Sequence, residues 1–196
     1  MPRLGILIVS IVFTWSAIKP ADRYTWFLEV VPAFTGFFIL WYTHHRYKWT
    51  PLVLWLMLFE FIILMVGGHY TYAKVPLFDW IGSHLGWERN NYDKFAHFMQ
   101  GFIPAIFTRE MLIRNRVVSG PRWLIFIVSS VCLAFSAFYE LVEWWVAVLS
   151  GIAAKAFLGT QGYEWDTQSD MFLAWVGSFV ALFLLSRIHN RQLKRL

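Results

Sequence analysis

The chain has 196 residues, a length that fits one domain, but hydrophobic residues make up 58% of it, charged residues only 15%, and Trp occurs 12 times. That composition excludes an ordinary soluble domain and describes an integral membrane protein with little mass outside the bilayer. The net charge of +5 lies in short loops between apolar runs, where it sets topology rather than binding nucleic acid, and Cys132 alone excludes a disulfide framework or a thiolate metal cluster.

A spanning helix needs about 20 mostly apolar residues, and six segments are expected to cross. The first, Leu4–Ile18, is short. Arg3 ahead of it resembles a signal peptide, but Ser16-Ala17-Ile18-Lys19-Pro20 is a poor cleavage site, so a retained helix is expected. The second runs from Tyr24 to Thr43 and the third from Pro51 to Tyr70. A loop from Ala73 to Tyr92 follows, with Trp80 and Trp87 around the apolar stretch Leu77–Leu85, which suits a short amphipathic helix along the membrane surface. The fourth segment spans Asp93–Ile113, the fifth Trp123–Leu149, and the sixth Ser169–Ile188. The loop before the sixth, Ser150 to Gln168, is rich in Ala and Gly and ends in an acidic, aromatic stretch. No internal repeat occurs. The expected architecture is all-α: a polytopic membrane helix bundle forming one integral membrane domain over residues 1–196. Six spans put both termini on one side, and that side carries all but 6 of the 17 Lys and Arg residues, so both termini are expected in the cytoplasm.

With this topology Asp93, Lys94, His97, Glu140, Glu143, Asp166 and Asp170 fall at the outer end of the bundle. Charges beside lipid are costly, so their convergence marks a candidate site. In the fourth helix Asn91 suits an N-cap and Asp93 the first turn. Asp93, His97, Gln100 and Pro104 share one face, and Pro104 frees the Gln100 carbonyl and favours a kink. The fifth helix places Cys132, Ser136, Glu140 and Glu143 on one stripe. Glu140 stands about 26 Å beyond Trp123 at helical rise, near the outer boundary, among Tyr139, Trp144 and Trp145. Asp166 suits a cap for the sixth helix. Asp170 shares a face with Ala174, Gly177 and Ala181, small residues that let helices approach, so it is expected to face the interior.

His, Asp and Glu side chains from three helices suit a hard or borderline divalent metal, with His97, Glu143 and Asp170 as ligands and zinc, manganese or magnesium as the ion. The same residues could instead form a metal-free hydrogen-bonded network with Lys94. Glu60 lies near mid-membrane, as a partner for a neighbour or part of a proton path. His69 and Tyr70 could line the site. Arg109 and Glu110, near the cytoplasmic end, are expected to snorkel or pair locally. His44 and His45 occupy a cytoplasmic loop and are expected to be solvated.

The runs Gly-Gly-His-Tyr-Thr-Tyr (67–72), Arg-Asn-Asn-Tyr-Asp-Lys-Phe-Ala-His-Phe-Met-Gln-Gly-Phe (89–102), Arg-Glu (109–110), Tyr-Glu-Leu-Val-Glu-Trp-Trp (139–145) and residues 157–171 resemble the YjdF family of bacterial inner-membrane proteins over nearly the whole chain. That resemblance implies an inner-membrane location and no particular reaction. The Asp-Lys-x-x-His-Phe opening (93–98) and the acidic entry to the last helix are also similar, more weakly, to VanZ-like proteins. Those sequences place an arginine before the last aspartate and an asparagine after it. Here Glu164–Gln168 contains no arginine and Ala174 stands at the asparagine position.

The leading expectation is a site that acts on or binds a lipid or lipid-linked envelope molecule at the outer leaflet, with His97 as base or metal ligand, Asp93, Glu143 and Asp170 supporting it, and Lys94 meeting a headgroup phosphate. A proton- or ion-coupled transporter and a non-catalytic envelope protein remain alternatives.

Overall fold

A computed structural model describes residues 3–44, 46–150 and 160–196. Most of the Ala- and Gly-rich loop, 151–159, and His45 lie outside the described residues. Among the described residues there are seven helices and no strand. They are α1 (Arg3–Ser16), α2 (Arg23–Thr43), α3 (Pro51–Tyr70), α4 (Pro76–Leu85), α5 (Tyr92–Arg114), α6 (Pro121–Ser150) and α7 (Asp166–Leu193). Local chemistry sets several of these ends. The Asp22 carboxylate accepts from the Thr25 backbone N–H at 2.7 Å to cap α2. The Thr50 hydroxyl caps α3, with Pro51 in the first turn where its missing N–H costs nothing. Gly86, at φ 69°, ends α4 in the left-handed conformation that glycine adopts freely. The last helix begins at Asp166, earlier than the Ser169 expected, and α6 runs 30 residues, about 45 Å, longer than a hydrocarbon core of about 30 Å.

Four helices, α2, α3, α6 and α7, are long and apolar enough to cross a membrane by length and composition. The expected six are therefore not all supported on that ground. The first helix has only 14 residues, and α5, though 23 residues long, carries Asp93, Lys94, Arg109, Glu110 and Arg114. An average over α5 misses that Asp93, His97, Arg109 and Glu110 are buried. Burial is inverted relative to a soluble protein. Glu110 and His189 are 0% exposed while Phe183 is 85% exposed, as expected where lipid replaces water around the bundle.

The central helix α3 packs against α1, α2 and α5, while α5 and α7 form the most intimate pair. Glycine makes that pair possible. A Cβ on Gly101 would sit 1.7 Å from the Ala174 carbonyl oxygen, and one on Gly177 would sit 2.1 Å from the Phe98 carbonyl oxygen. Ala174 and Ala181 are fully buried on the same seam, so backbones meet where side chains would normally separate them. Gly101→Ala is expected to cost about 3 kcal/mol, because backbone on both helices must move to admit the methyl group. Thermal unfolding in detergent, followed by tryptophan fluorescence, checks this.

Candidate functional site

The acidic cluster is assembled where α5, α6 and α7 meet the turns after α3 and before α5. Asn90, rather than the expected Asn91, organises the entry to α5. Its Oδ1 accepts from the Tyr92 N–H at 3.1 Å, and its Nδ2 donates to the Val75 carbonyl and to Asp79 Oδ1. Asn91 occupies the cap position with no side-chain cap bond. From the other side the Gln161 side-chain amide clasps the Asn90 backbone, its Oε1 accepting from the Asn90 N–H at 3.1 Å and its Nε2 donating to the Asn90 carbonyl at 2.9 Å. This fixes the register of the first turn of α5 against the approach to α7.

Two cations sit in that clasp. Arg89 Nη1 meets Asp166 Oδ1 at 2.7 Å, and Arg89 Nη2 lies 3.7 Å from Asp93 Oδ2. Lys94 Nζ donates to Asp166 Oδ1 at 2.6 Å, to Asp170 Oδ1 at 2.9 Å and to the Ser169 hydroxyl. An ammonium has three donors, so Lys94 is saturated, and a headgroup phosphate would have to displace one of these oxygens. Tyr163 lies over Lys94 and Arg89 with its ring centroid 5.2 and 5.8 Å away. Asp166 is in the first turn of α7 and caps nothing with its side chain; its carboxylate belongs to this network.

Deeper in, His97 is held by Gln100, whose Oε1 lies 3.0 Å from His97 Nδ1. An amide oxygen only accepts, so Nδ1 carries the proton and Nε2 is turned the other way. Nε2 faces Asp93 Oδ1 at 3.6 Å and Glu140 Oε1 at 3.7 Å. Those separations are too long for hydrogen bonds, and Glu140 Oε1 is buried with no hydrogen-bond partner. Ligand atoms of Asp93, His97 and Asp170 lie within 4.8 Å of one another, and so do those of His97, Glu140 and Glu143. The ligands expected from the sequence, His97, Glu143 and Asp170, are thus divided between two groups that share His97. Two metal bonds of about 2.1 Å at a tetrahedral angle span about 3.4 Å, close to the gaps around Nε2.

Beyond His97 a cavity of about 30 Å³ is lined by Glu29, Glu60, Asp93, Glu143, Tyr72, Tyr139 and Gln100, among others. That volume admits one or two waters or a bare ion. The glycine pair at the end of α3 makes room for two of its lining side chains, Tyr72 and Glu29. A Cβ on Gly67 would strike the Tyr72 ring at 2.3 Å, and one on Gly68 would lie 3.0 Å from Glu29 Cβ. Thr71 and Tyr72 both take positive φ, 56° and 55°, a strained state for residues other than glycine. The strain folds the Tyr72 ring back over Gly67. Tyr139 donates to Glu29 Oε2 at 2.9 Å, and Tyr72 lines the same cavity.

All seven expected site residues, Asp93, Lys94, His97, Glu140, Glu143, Asp166 and Asp170, lie at this end, and all but Lys94 are buried. The two glutamates of α6 therefore do not point into open water. His69 and Tyr70 do not line the cavity. His69 Nδ1 contacts the Ser16 carbonyl at 2.9 Å and its ring packs on Trp15 and Tyr70, tying α1 to α3. Sequence reasoning missed Glu29, Tyr72 and the role of Tyr139. Glu29 offered a signal, as a lone acid nearly two turns into an apolar helix.

At the opposite end, Arg109 and Glu110 pair over long range as well as locally. Glu110 accepts from the Thr50 backbone and hydroxyl at 3.1 and 2.6 Å and from Arg114 at 2.9 Å. Arg109 Nη1 donates to His189 Nδ1 at 2.8 Å, so His189 Nε2 donates to Glu110 Oε2 at 3.0 Å. Every charged group in this cluster is satisfied.

A family model described as "Predicted membrane protein (DUF2238)" matches residues 1–191. Among curated proteins, the chain is 47% identical over 189 residues to inner membrane protein YjdF of Escherichia coli (strain K12), covering 96% of this chain and 90% of that one. No solved structure matches.

Proposed function

The chain belongs to the YjdF (DUF2238) family of membrane proteins, and from that premise we propose that it is a multi-pass protein of the bacterial inner membrane whose His97 centre holds a divalent cation and acts on a lipid or lipid-linked envelope molecule. In this reading all helices but α4 cross, residues 1–196 form one domain, both termini face the cytoplasm, and α4 lies in the outer interface. The split of basic residues supports that orientation. The exposed Leu77, Trp80 and Leu85 support an interfacial α4.

The observation that carries the proposal is His97 Nε2, aimed at two carboxylate oxygens across gaps of 3.6 and 3.7 Å that no hydrogen bond closes. An Nε2 lone pair facing carboxylates needs a proton or a cation between them, and gaps of 3.6 and 3.7 Å, too long for a hydrogen bond, match the span of two metal bonds. Charge balance points the same way. Seven buried carboxylates, Glu29, Glu60, Asp93, Glu140, Glu143, Asp166 and Asp170, lie at this end, where Arg89 and Lys94 pair with Asp93, Asp166 and Asp170 and His97 faces Asp93 and Glu140. Uncompensated charge in such surroundings costs several kcal/mol.

A bound divalent ion would supply an activated water. Gln100 orients His97, and Lys94 with Arg89 fixes Asp166 and Asp170. The cavity admits water but no headgroup, so the substrate meets the site at its outer rim, beside Tyr163 and Lys94. Lipidomic comparison of cells lacking the protein with cells carrying the wild type or His97→Ala tests this reading. One phospholipid or cell-wall lipid class is expected to change in the null and to stay changed with His97→Ala. No difference in any class contradicts the lipid assignment. The unpartnered Glu60 Oε2 favours a second reading, coupled transport of a proton or ion, which proton-gradient flux in reconstituted vesicles would reveal.

A further inference from the structure

We propose that the chamber beside His97 holds a second divalent cation, with Glu29 and Glu60 as its own ligands and Asp93 and Glu143 shared with the His97 centre. The inference rests on the reading of His97 as a cation centre and adds an ion to it.

Four carboxylates line one cavity of about 30 Å³, and no Lys or Arg lines it. An acidic cluster alone would not specify a ligand, but Glu60 does. It lies in the middle of α3, is 7% exposed, and its Oε2 has no hydrogen-bond partner. A buried carboxylate oxygen without a partner loses its hydration and gains nothing in return. The Glu60 side chain lines a cavity large enough for an ion and a water. The Glu29 carboxylate, by contrast, is held in place by Tyr139, as a ligand must be to present its remaining lone pairs in a fixed direction.

Shared carboxylates make the two centres one unit. Asp93 belongs to the group with His97 and Asp170, and Glu143 to the group with His97 and Glu140. Both also line the chamber. A carboxylate has two oxygens and can present one to each ion, and ions joined this way lie about 3.5–4 Å apart. The donors of the second centre are all oxygen, from Glu29, Glu60 and the bridging pair, which favours a hard ion such as magnesium or manganese. The competing account is a protonated Glu60 with no ion beside it.

Titration of chelator-stripped, full-length protein in detergent with Mn2+, followed by electron paramagnetic resonance, separates these accounts. The wild type is expected to take up two ions per chain, the second producing a spin-coupled signal that adjacent ions give and distant ones do not. Glu60→Gln is expected to bind one ion and lose the coupled signal while its melting temperature without metal stays close to wild type. Glu29→Gln gives the same count and serves if Glu60→Gln fails to fold. One ion in the wild type, unchanged by Glu60→Gln, overturns the second site and leaves the His97 centre standing. Two ions retained by both variants overturn the ligand assignment. No uptake by folded wild type overturns both centres.

Discussion

Removing the His97 side chain is expected to abolish the stabilisation that a divalent metal at its own centre confers, without collapsing the fold. A ligand that binds only the native state adds about 2.7 kcal/mol at a concentration 100 times its Kd, which for a chain of this size is a rise of roughly 5–10 °C in melting temperature. Chelator-stripped wild type should show that rise with added Zn2+ or Mn2+, and His97→Ala should lose the part of it that the His97 centre supplies. The fold should survive because the elements that join α5 to α7 do not pass through His97. The backbone contact at Gly101 and Gly177 and the Lys94 bonds to Asp166 and Asp170 remain. A metal-independent loss of more than about 3 kcal/mol in His97→Ala would instead place the residue among the structural supports.

The largest loss of stability is expected at the other end of the bundle. Glu110→Ala should cost about 3–5 kcal/mol, the usual price of breaking a buried charge network from one side. Glu110 is fully buried and accepts four hydrogen bonds, from Thr50 twice, from Arg114 and from His189. Its loss leaves His189 Nε2–H without an acceptor beside a buried Arg109, and it releases the start of α3 from α5 and α7. Unfolding of the variant in detergent, scanned alongside wild type, should show a midpoint lower by roughly 10 °C. Because Glu110 lies far along α5 from His97, metal uptake by the folded fraction should stay unchanged, and a parallel loss of metal would show the two ends to be coupled.

These two clusters also show what the sequence could and could not reveal. Helix positions were legible because apolar runs of spanning length are bounded by Pro, Asn and charge: Pro51–Tyr70 agrees at both ends. The acidic site at one end was legible through helical spacing on α5, α6 and α7. Glu29 was missed because it enters from α2, where nothing local marks an isolated acid as part of a shared cavity. Tyr72 was hidden by a turn that reverses the chain through two strained residues, which no periodicity encodes. Asn91 occupies the cap position expected of it but makes no side-chain cap bond, and the fixing of the turn through Asn90 was hidden because its partners, Val75, Asp79 and Gln161, are distant in sequence. Glu110 looked local since Arg114 is one turn away, yet Thr50 and His189 come from 60 and 79 residues off.

Elemental mass spectrometry of the purified full-length protein, after a chelator wash that strips loosely held ions, tests the central claim most directly. The His97 centre requires at least one divalent ion per chain in the wild type and its loss in His97→Ala. Folded wild-type protein that carries no divalent metal, and takes up none when it is offered, would contradict the claim and leave the cluster as a protonated hydrogen-bond network.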